Sequence, residues 1–254
     1  MRDIKLALWG PSAAGKTALL AQLYIQSRRL PGDWEIFPTQ KSKPFIDRMR
    51  PIILRDSLFP AATAVGNEEQ IVYLFRHRTT GAQASLYVDD RAGKESENLD
   101  SAGRERLALA DGLVLLFDPA RDGTELQEQV LRTLESLFIE GHKGGGKDQR
   151  PIAVCMSKAD LLIRKPNDAR SARLEPDSFV RERMVPDLAA WIELFCANFR
   201  LFPVSAAGIR VRRGVVEPAV FYDERLQLRI SQEGEPVNLI EPFLWIFDQL
   251  EGGS

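Results

Sequence analysis

The chain of 254 residues is poor in the side chains that most often carry metal or nucleophile chemistry. It has two histidines and two cysteines. Cys155 and Cys196 both sit in apolar segments, as expected of buried free thiols in a reducing compartment rather than of a disulfide framework. No His/Cys grouping has metal-ligand spacing, which excludes a zinc-ribbon or zinc-finger type of site. Long apolar runs are also missing. The longest strongly apolar run is Gly112-Leu113-Val114-Leu115-Leu116-Phe117, far short of the roughly 20 residues a membrane helix needs. Charge of neither sign dominates: 34 Lys and Arg stand against 36 Asp and Glu, a net of −2. A nucleic-acid surface or a polybasic membrane anchor is therefore not expected. Met1-Arg2-Asp3 leads directly into a strand-like run, and Leu250-Glu251-Gly252-Gly253-Ser254 carries no lipidation motif. Neither a signal peptide nor a direct membrane anchor is expected, and the expected location is the cytoplasm.

What the chain does have is alternation of strand-like and helical runs. Apolar runs at residues 4–9, 112–117, 151–156 and 201–204 read as buried strands, and helical patterns lie between them. That is the signature of βαβ units and a mostly parallel sheet. Residues 70–77 and 84–88 read as a hairpin about Thr79-Thr80-Gly81-Ala82. Before it, residues 31–67 hold a possible short strand at Trp34–Phe37 and a helical stretch from about Lys43 to Asp56, interrupted by Pro51. A helix is expected at about 123–139, followed by a polar connector at His142–Lys147. Residues 164–175 read as a polar loop. The next helix carries Leu188, Trp191, Ile192, Phe195 and Phe199 on one face, with Pro186 either starting it or kinking it. Residues 209–230 suggest an added hairpin. A C-terminal helix from about Leu239 to Leu250 has Asn238 and Glu241 in capping-box spacing. No repeat or linker is visible, so residues 1–254 read as one α/β domain.

Residues 10–17 read GPSAAGKT, a match to G-x-x-x-x-G-K-[ST] between a strand and a helix. Chance produces such a match in roughly one chain in a hundred of this length. Gly10 and Gly15 let the backbone curl so that its N–H groups face phosphate oxygens. Lys16 reaches the β- and γ-phosphates, and the Thr17 hydroxyl is a Mg²⁺ ligand. Gly10, Ser12, Ala13, Ala14, Gly15, Lys16, Thr17 and Ala18 are the candidate phosphate-binding residues. The helix N-terminus behind them favours an anion.

Weaker signals follow in order. Asp90-Arg91-Ala92-Gly93 has D-x-x-G spacing after a strand. A random chain of this size holds about one such match, so only its position makes it informative. Asp90 can hold a Mg²⁺-bound water, with Asp89 as the rival carboxylate, and the Gly93 N–H can meet a γ-phosphate. Ser157-Lys158-Ala159-Asp160 ends another buried strand. A carboxylate there suits the paired N–H donors of guanine, and the Lys158 stem can cover the base. Ser205-Ala206-Ala207 ends a third strand with small residues that let backbone N–H groups approach the guanine carbonyl. Thr63 is the candidate to complete the Mg²⁺ shell, with Thr39 as the competitor.

With these motifs in this order, the chain resembles the Ras-like branch of the P-loop GTPases, in the translation-factor-type class. The likeness rests on GPSAAGKT, DRAG, SKAD and SAA and covers most of residues 1–207. It implies a six-stranded, mostly parallel sheet with flanking helices and an antiparallel edge hairpin, and GTP or GDP with Mg²⁺ at the strands' C-terminal ends. It also implies switch segments at about 31–67 and 90–103, through which regulatory or effector proteins would bind. The long first switch and the insertion after residue 207 resemble a prokaryotic subgroup.

The chain departs from that pattern where water is activated. The family usually has Gln directly after the D-x-x-G glycine, whereas this chain has Lys94. An ammonium donates hydrogen bonds but accepts none from water. Lys94 joins Lys16 and Gly93 as a candidate catalytic residue, with Arg91 and Glu95 as nearby substitutes. Ser12 and Ala13 replace two mid-loop glycines of the family, and Ser12 would crowd the γ-phosphate side. Three readings follow: a slow GTP-hydrolysing switch, a nucleotide-binding scaffold with little turnover, and a P-loop ATPase or small-molecule kinase. The last would need Arg210, Arg212 and Arg213 as a lid, but their alternation with Ile209 and Val211 favours the solvated face of a strand.

Overall fold

The protein is described by a computed structural model that covers residues 4–11, 13–27, 34–60, 69–90, 101–119 and 146–252. The expected helix at 123–139 and most of the connector after it lie outside these residues.

The chain opens on β1 (Ile4–Trp9), whose residues alternate between two cores. Leu6 and Leu8 enter one core, Ala7 and Trp9 the other. A strand buried on both faces must be central, and β1 is. It pairs in parallel with β4 (Gln83–Asp90) on one side and with β5 (Gly112–Phe117) on the other. Beyond β5 come β6 (Asp148–Met156) and β7 (Cys196–Pro203), both parallel. On the other side, β3 (Glu69–His77) and β2 (Trp34–Pro38) extend the sheet antiparallel from β4. The order is β2-β3-β4-β1-β5-β6-β7. This α/β sheet has seven strands, one more than the resemblance implied, because residues 34–38 pair fully along the outer edge of β3.

Helices cover both faces. On one lie α1 (Lys16–Gln26), α2 (Lys43–Leu54) and the C-terminal α7 (Glu241–Gly252), which supply Leu20, Phe45, Phe243 and Ile246 to the first core. On the other lie α3 (Ser101–Leu109), α4 (Pro166–Leu174), α5 (Pro176–Arg181) and α6 (Pro186–Phe195). Of these, α3, α4, α5 and α6 contribute Leu107, Ala172, Phe179 and Trp191 to the second core. Among the described residues no helix is long and apolar enough to cross a membrane.

Four local expectations need correction. Residues 166–174 are helical, not loop. Pro166 stands in the first turn, and the Asp168 carboxylate accepts the Arg164 and Lys165 backbone N–H groups at 3.0 Å. The segment reads as polar because Ala172 is its one buried residue. Next, Pro186 starts α6 rather than kinking it, but the helix ends at Phe195. Phe199 lies on β7 opposite Ile152, since ladder pairing with β6 begins at Cys196 and overrides the helical spacing. The insertion at 209–230 is two hairpins. β8 (Ser205–Arg212) pairs with β9 (Val215–Pro218) across the left-handed pair Arg213 and Gly214, and also with β12 (Glu235–Val237). β10 (Val220–Tyr222) pairs with β11 (Leu228–Ile230) in a separate sheet.

Last, Asn238 and Glu241 do not form a capping box. The Asn238 amide nitrogen donates instead to the carbonyls of Ala172 (2.8 Å) and Pro203 (2.9 Å), and Glu241 accepts from the Ile240 N–H. Asn238 is buried with φ of 44° and so ties α4, β7 and α7 together. Asn238→Gly keeps that backbone conformation and removes both bonds. It is expected to lower unfolding stability in urea by about 1–3 kcal/mol, and Asn238→Ala by about 1 kcal/mol more for its left-handed φ. Unchanged midpoints would show that the two carbonyls are satisfied in another way.

Candidate functional site

The strand order places four motifs on one edge of the sheet. The loop after β1, the end of β4, the turn after β6 and the end of β7 all lie at the carboxyl ends of parallel strands, where open α/β sheets bind ligands. β1 is also where the chain order reverses, with β4 on one side and β5 on the other.

The loop after β1 is shaped by two different demands. Gly10 passes so close to β5 that a Cβ on it would lie 2.8 Å from Leu116 Cβ. Gly15 has open space around it but a φ of 91°, which other residues adopt at a cost. Ala13 is also left-handed, at φ of 58°. This conformation costs a residue with a Cβ about 1 kcal/mol, and such strain is typical of ligand clamps. Ala14 is fully buried and donates to the Pro11 carbonyl at 3.2 Å. Lys16 opens α1, and its buried ammonium donates to the carbonyls of Gly10 (2.7 Å) and Pro11 (3.0 Å). The lysine thus folds back over the loop from the first turn of the helix. Thr17 and Ala18 follow in the same turn. Ser12 lies outside the described residues.

The SKAD segment is held on both sides. Ser157 donates twice to the Phe117 carbonyl on β5, from its N–H (2.8 Å) and its hydroxyl (2.9 Å). On the other side the Ala159 N–H donates to Val204 at 3.1 Å. Asp160 is buried, and its Oδ1 accepts the Ser205 hydroxyl at 2.5 Å. That hydroxyl in turn accepts the Gly208 N–H at 2.8 Å, which fixes its direction. A carboxylate has acceptor sites for several hydrogens, so one bond from Ser205 leaves capacity for the paired donors of guanine. Burial pushes the Asp160 carboxyl above its ordinary value of 3.8. The Ser205 hydroxyl, a backbone N–H and the charges of Lys158 and Arg164 oppose that shift. SKAD and SAA, separate in sequence, are thus joined by a direct hydrogen bond. Ala206 and Ala207 continue from Ser205 into β8.

Other expected residues stand differently. Asp90 is the last residue of β4, paired along the ladder with Glu69, and Asp89 precedes it opposite Gln70. Thr63, Arg91, Gly93, Lys94 and Glu95 lie outside the described residues. Thr39 belongs to the entry of α2. Its hydroxyl lies 3.0 Å from that of Ser42, whose oxygen accepts the Val72 N–H at 2.7 Å. That engagement gives Thr39 a structural role at the β2–α2 turn. Among the described residues no group of three or more His, Cys, Asp or Glu is gathered for a metal.

Two residues absent from the expected motifs hold the sheet at its two ends, Asp118 at the motif-bearing edge and Arg150 at the opposite edge, near the start of β6. Asp118, next after β5, lies 2.5 Å from the Lys158 ammonium. Arg150 pairs with buried Asp148 at 2.6 Å, and its guanidinium donates to the carbonyls of Leu107 (2.7 Å) and Ala110 (3.0 Å), closing the C-terminal end of α3. An Asp ending an apolar strand was a visible signal for the first. Nothing local marked the second.

The family model described as Double-GTPase 2 matches residues 4–208, from β1 through the Ser205 motif. No curated protein matches the chain.

The Asp160 environment has a pH consequence. Its folded value lies above its unfolded one, so this group's contribution to stability is complete below about pH 4 and is lost as pH rises through the folded value. Asp160→Asn removes the buried charge. It is expected to raise the melting temperature of the nucleotide-free protein at neutral pH, with the gain shrinking toward zero near pH 4. Melting curves of both proteins across that range measure it, and a pH-independent difference would contradict the assignment.

Proposed function

The chain belongs to the Double-GTPase 2 family, and from that premise we propose that it is a GTP-binding molecular switch with slow, Mg²⁺-dependent GTP hydrolysis. The observation that carries the reading is the Ser205–Asp160 hydrogen bond. It sets a buried carboxylate, suited to guanine and not to adenine, on the same sheet edge as the loop of Lys16. On this reading residues 1–254 work as one Ras-like unit. Lys16 and the backbone N–H groups of residues 13–18 hold the phosphates. Thr17, Asp90 and Thr63 would hold Mg²⁺, which would neutralise charge developing on the phosphates. Gly93 would meet the γ-phosphate.

The proposed first switch, 31–67, is not uniform. Residues 53–59 are fastened by the β10–β11 hairpin and the turn after it. Arg229 donates to the Asp56 carbonyl (2.6 Å) and Gln232 to that of Ile53 (2.7 Å). Backbone bonds join Phe59 to Leu228 and Ile230 to Ser57. Arg150 closes the C-terminal end of α3, past the proposed second switch at 90–103. Nucleotide-dependent ordering would act through the proposed switch segments, about 31–67 and 90–103. Regulatory or effector proteins would read them there.

Lys94 supports a second reading, a nucleotide-binding scaffold with little turnover, because an ammonium cannot accept a proton from the attacking water. A kinase-type arginine lid finds less support. Arg210 is tied to Glu217 at 2.8 Å on the β8–β9 ladder.

Nucleotide titration of the purified protein tests the proposal directly. GTP should bind far more tightly than ATP, and equal affinities would end the reading. Asp160→Asn, which turns an acceptor into a donor, should shift preference toward xanthosine triphosphate by a factor on the order of 10³ or more. In single-turnover assays the wild type should release phosphate at about 10⁻³ per second or below, and Lys16→Ala should release none. Absence of any release from the wild type would favour the scaffold.

A further inference from the structure

Lys158 is unusual in both backbone and side chain. Its φ is 54°, a left-handed conformation entered as the chain turns from β6 into the short 3₁₀ segment Ala159–Leu161. Its side chain is 38 % exposed, yet the ammonium is drawn to Asp118, whose side chain is only 2 % exposed. Solvent-exposed ion pairs contribute little to a fold, but a carboxylate this buried is costly unless its partner is held close. The pair is therefore built from the inside outward. Asp118 is fixed by its place at the end of β5, and the lysine is pulled to it.

The pairing is also in register with the strands. Phe117 lies beside Met156 in the sheet, and its carbonyl takes both Ser157 donors. One residue on, Asp118 takes Lys158. Two residues after Lys158, Asp160 accepts the Ser205 hydroxyl. The first two residues of SKAD are thus anchored to the end of β5 (Phe117 and Asp118), and the last two to Val204 and Ser205 between β7 and β8. Asp118 is the anchor that sets where the aliphatic stem of Lys158 lies.

We propose that Asp118 is a positioning residue for purine recognition, one that stretches Lys158 toward β5 so that its methylene stem forms one wall of the base site while Asp160 reads the base edge. The inference rests on the guanine site proposed above and adds to it a residue that touches no nucleotide. The ligand chemistry it serves is a planar base lying on an alkyl stem, with the ammonium retained by a carboxylate rather than by phosphate.

The test compares ligands with and without a base. Asp118→Asn removes the charge that holds Lys158 and keeps the shape. It is expected to weaken GTP binding about tenfold, which corresponds to about 1.4 kcal/mol, while binding of inorganic triphosphate is unchanged. Asp118→Ser, which cannot overpack the site, should do the same. Lys158→Met should lose GTP affinity to a similar degree, and the double variant Asp118→Asn with Lys158→Met should lose no more than Lys158→Met alone, the non-additivity of residues acting as a unit. A purely structural Asp118 would lower affinity for GTP and inorganic triphosphate in parallel. That parallel loss, or additive losses in the double variant, would overturn the proposal. Unaltered GTP affinity in both Asp118 variants, with the wild type still preferring GTP to ATP, would overturn this inference alone. A wild type without that preference would overturn the guanine reading and this one with it.

Discussion

Burial of β1 on both faces is the constraint from which the rest of the structure follows. Leu6 and Leu8 need one core, Ala7 and Trp9 the other. A strand with that demand cannot lie at an edge, so the chain must supply a neighbour on each side and helices above and below. The loop that follows then opens at the reversal of strand order, the place in such sheets where adjacent connections diverge and leave room for a ligand. The close pass of Gly10 over Leu116 is a direct result, because the loop leaves a strand whose neighbour is already packed beside it.

The nucleotide edge combines firmly held and strained features. SKAD is tied to β5 on one side and to the β7–β8 connection on the other, so the proposed base-reading carboxylate belongs to the rigid body of the sheet. The loop of Lys16 carries left-handed conformations at Ala13 and Gly15. On the proposed reading, a rigid base site would stand beside a strained phosphate loop.

The C-terminal additions complete this arrangement. The β10–β11 hairpin fastens residues 53–59, α7 covers the sheet face under β5 and β6, and Asn238 bonds to carbonyls from α4 and β7. Gly112 shows how tight the α7 contact is, since a Cβ there would lie 2.5 Å from Ile246 Cγ2. The segment after residue 207 is thus part of the packing that supports the nucleotide edge.

Much of this was legible in the residues themselves because it depends on local rules. Two-sided apolar runs mark central strands, the 10–17 pattern marks a phosphate loop at a helix start, and Asp90 and Asp160 are placed by the strands they end or closely follow. Errors arose where a non-local partner overrode a local pattern. Phe199 fitted a helical stripe until pairing with β6 claimed it. Residues 166–174 looked like loop because one buried alanine leaves almost no amphipathic signal. Asn238 and Glu241 had the spacing of a cap, but carbonyls far away in sequence took the amide. The sequence by itself determined the α/β class, the strand ends and the chemical types available at them, because periodicity and turn chemistry act over a few residues. Only the tertiary structure decided that Ser205 orients Asp160, that Asp118 holds Lys158 and that Arg229 fastens the stretch before residue 60. Those contacts join segments separated by about 40 residues or more, and no local pattern carries that information.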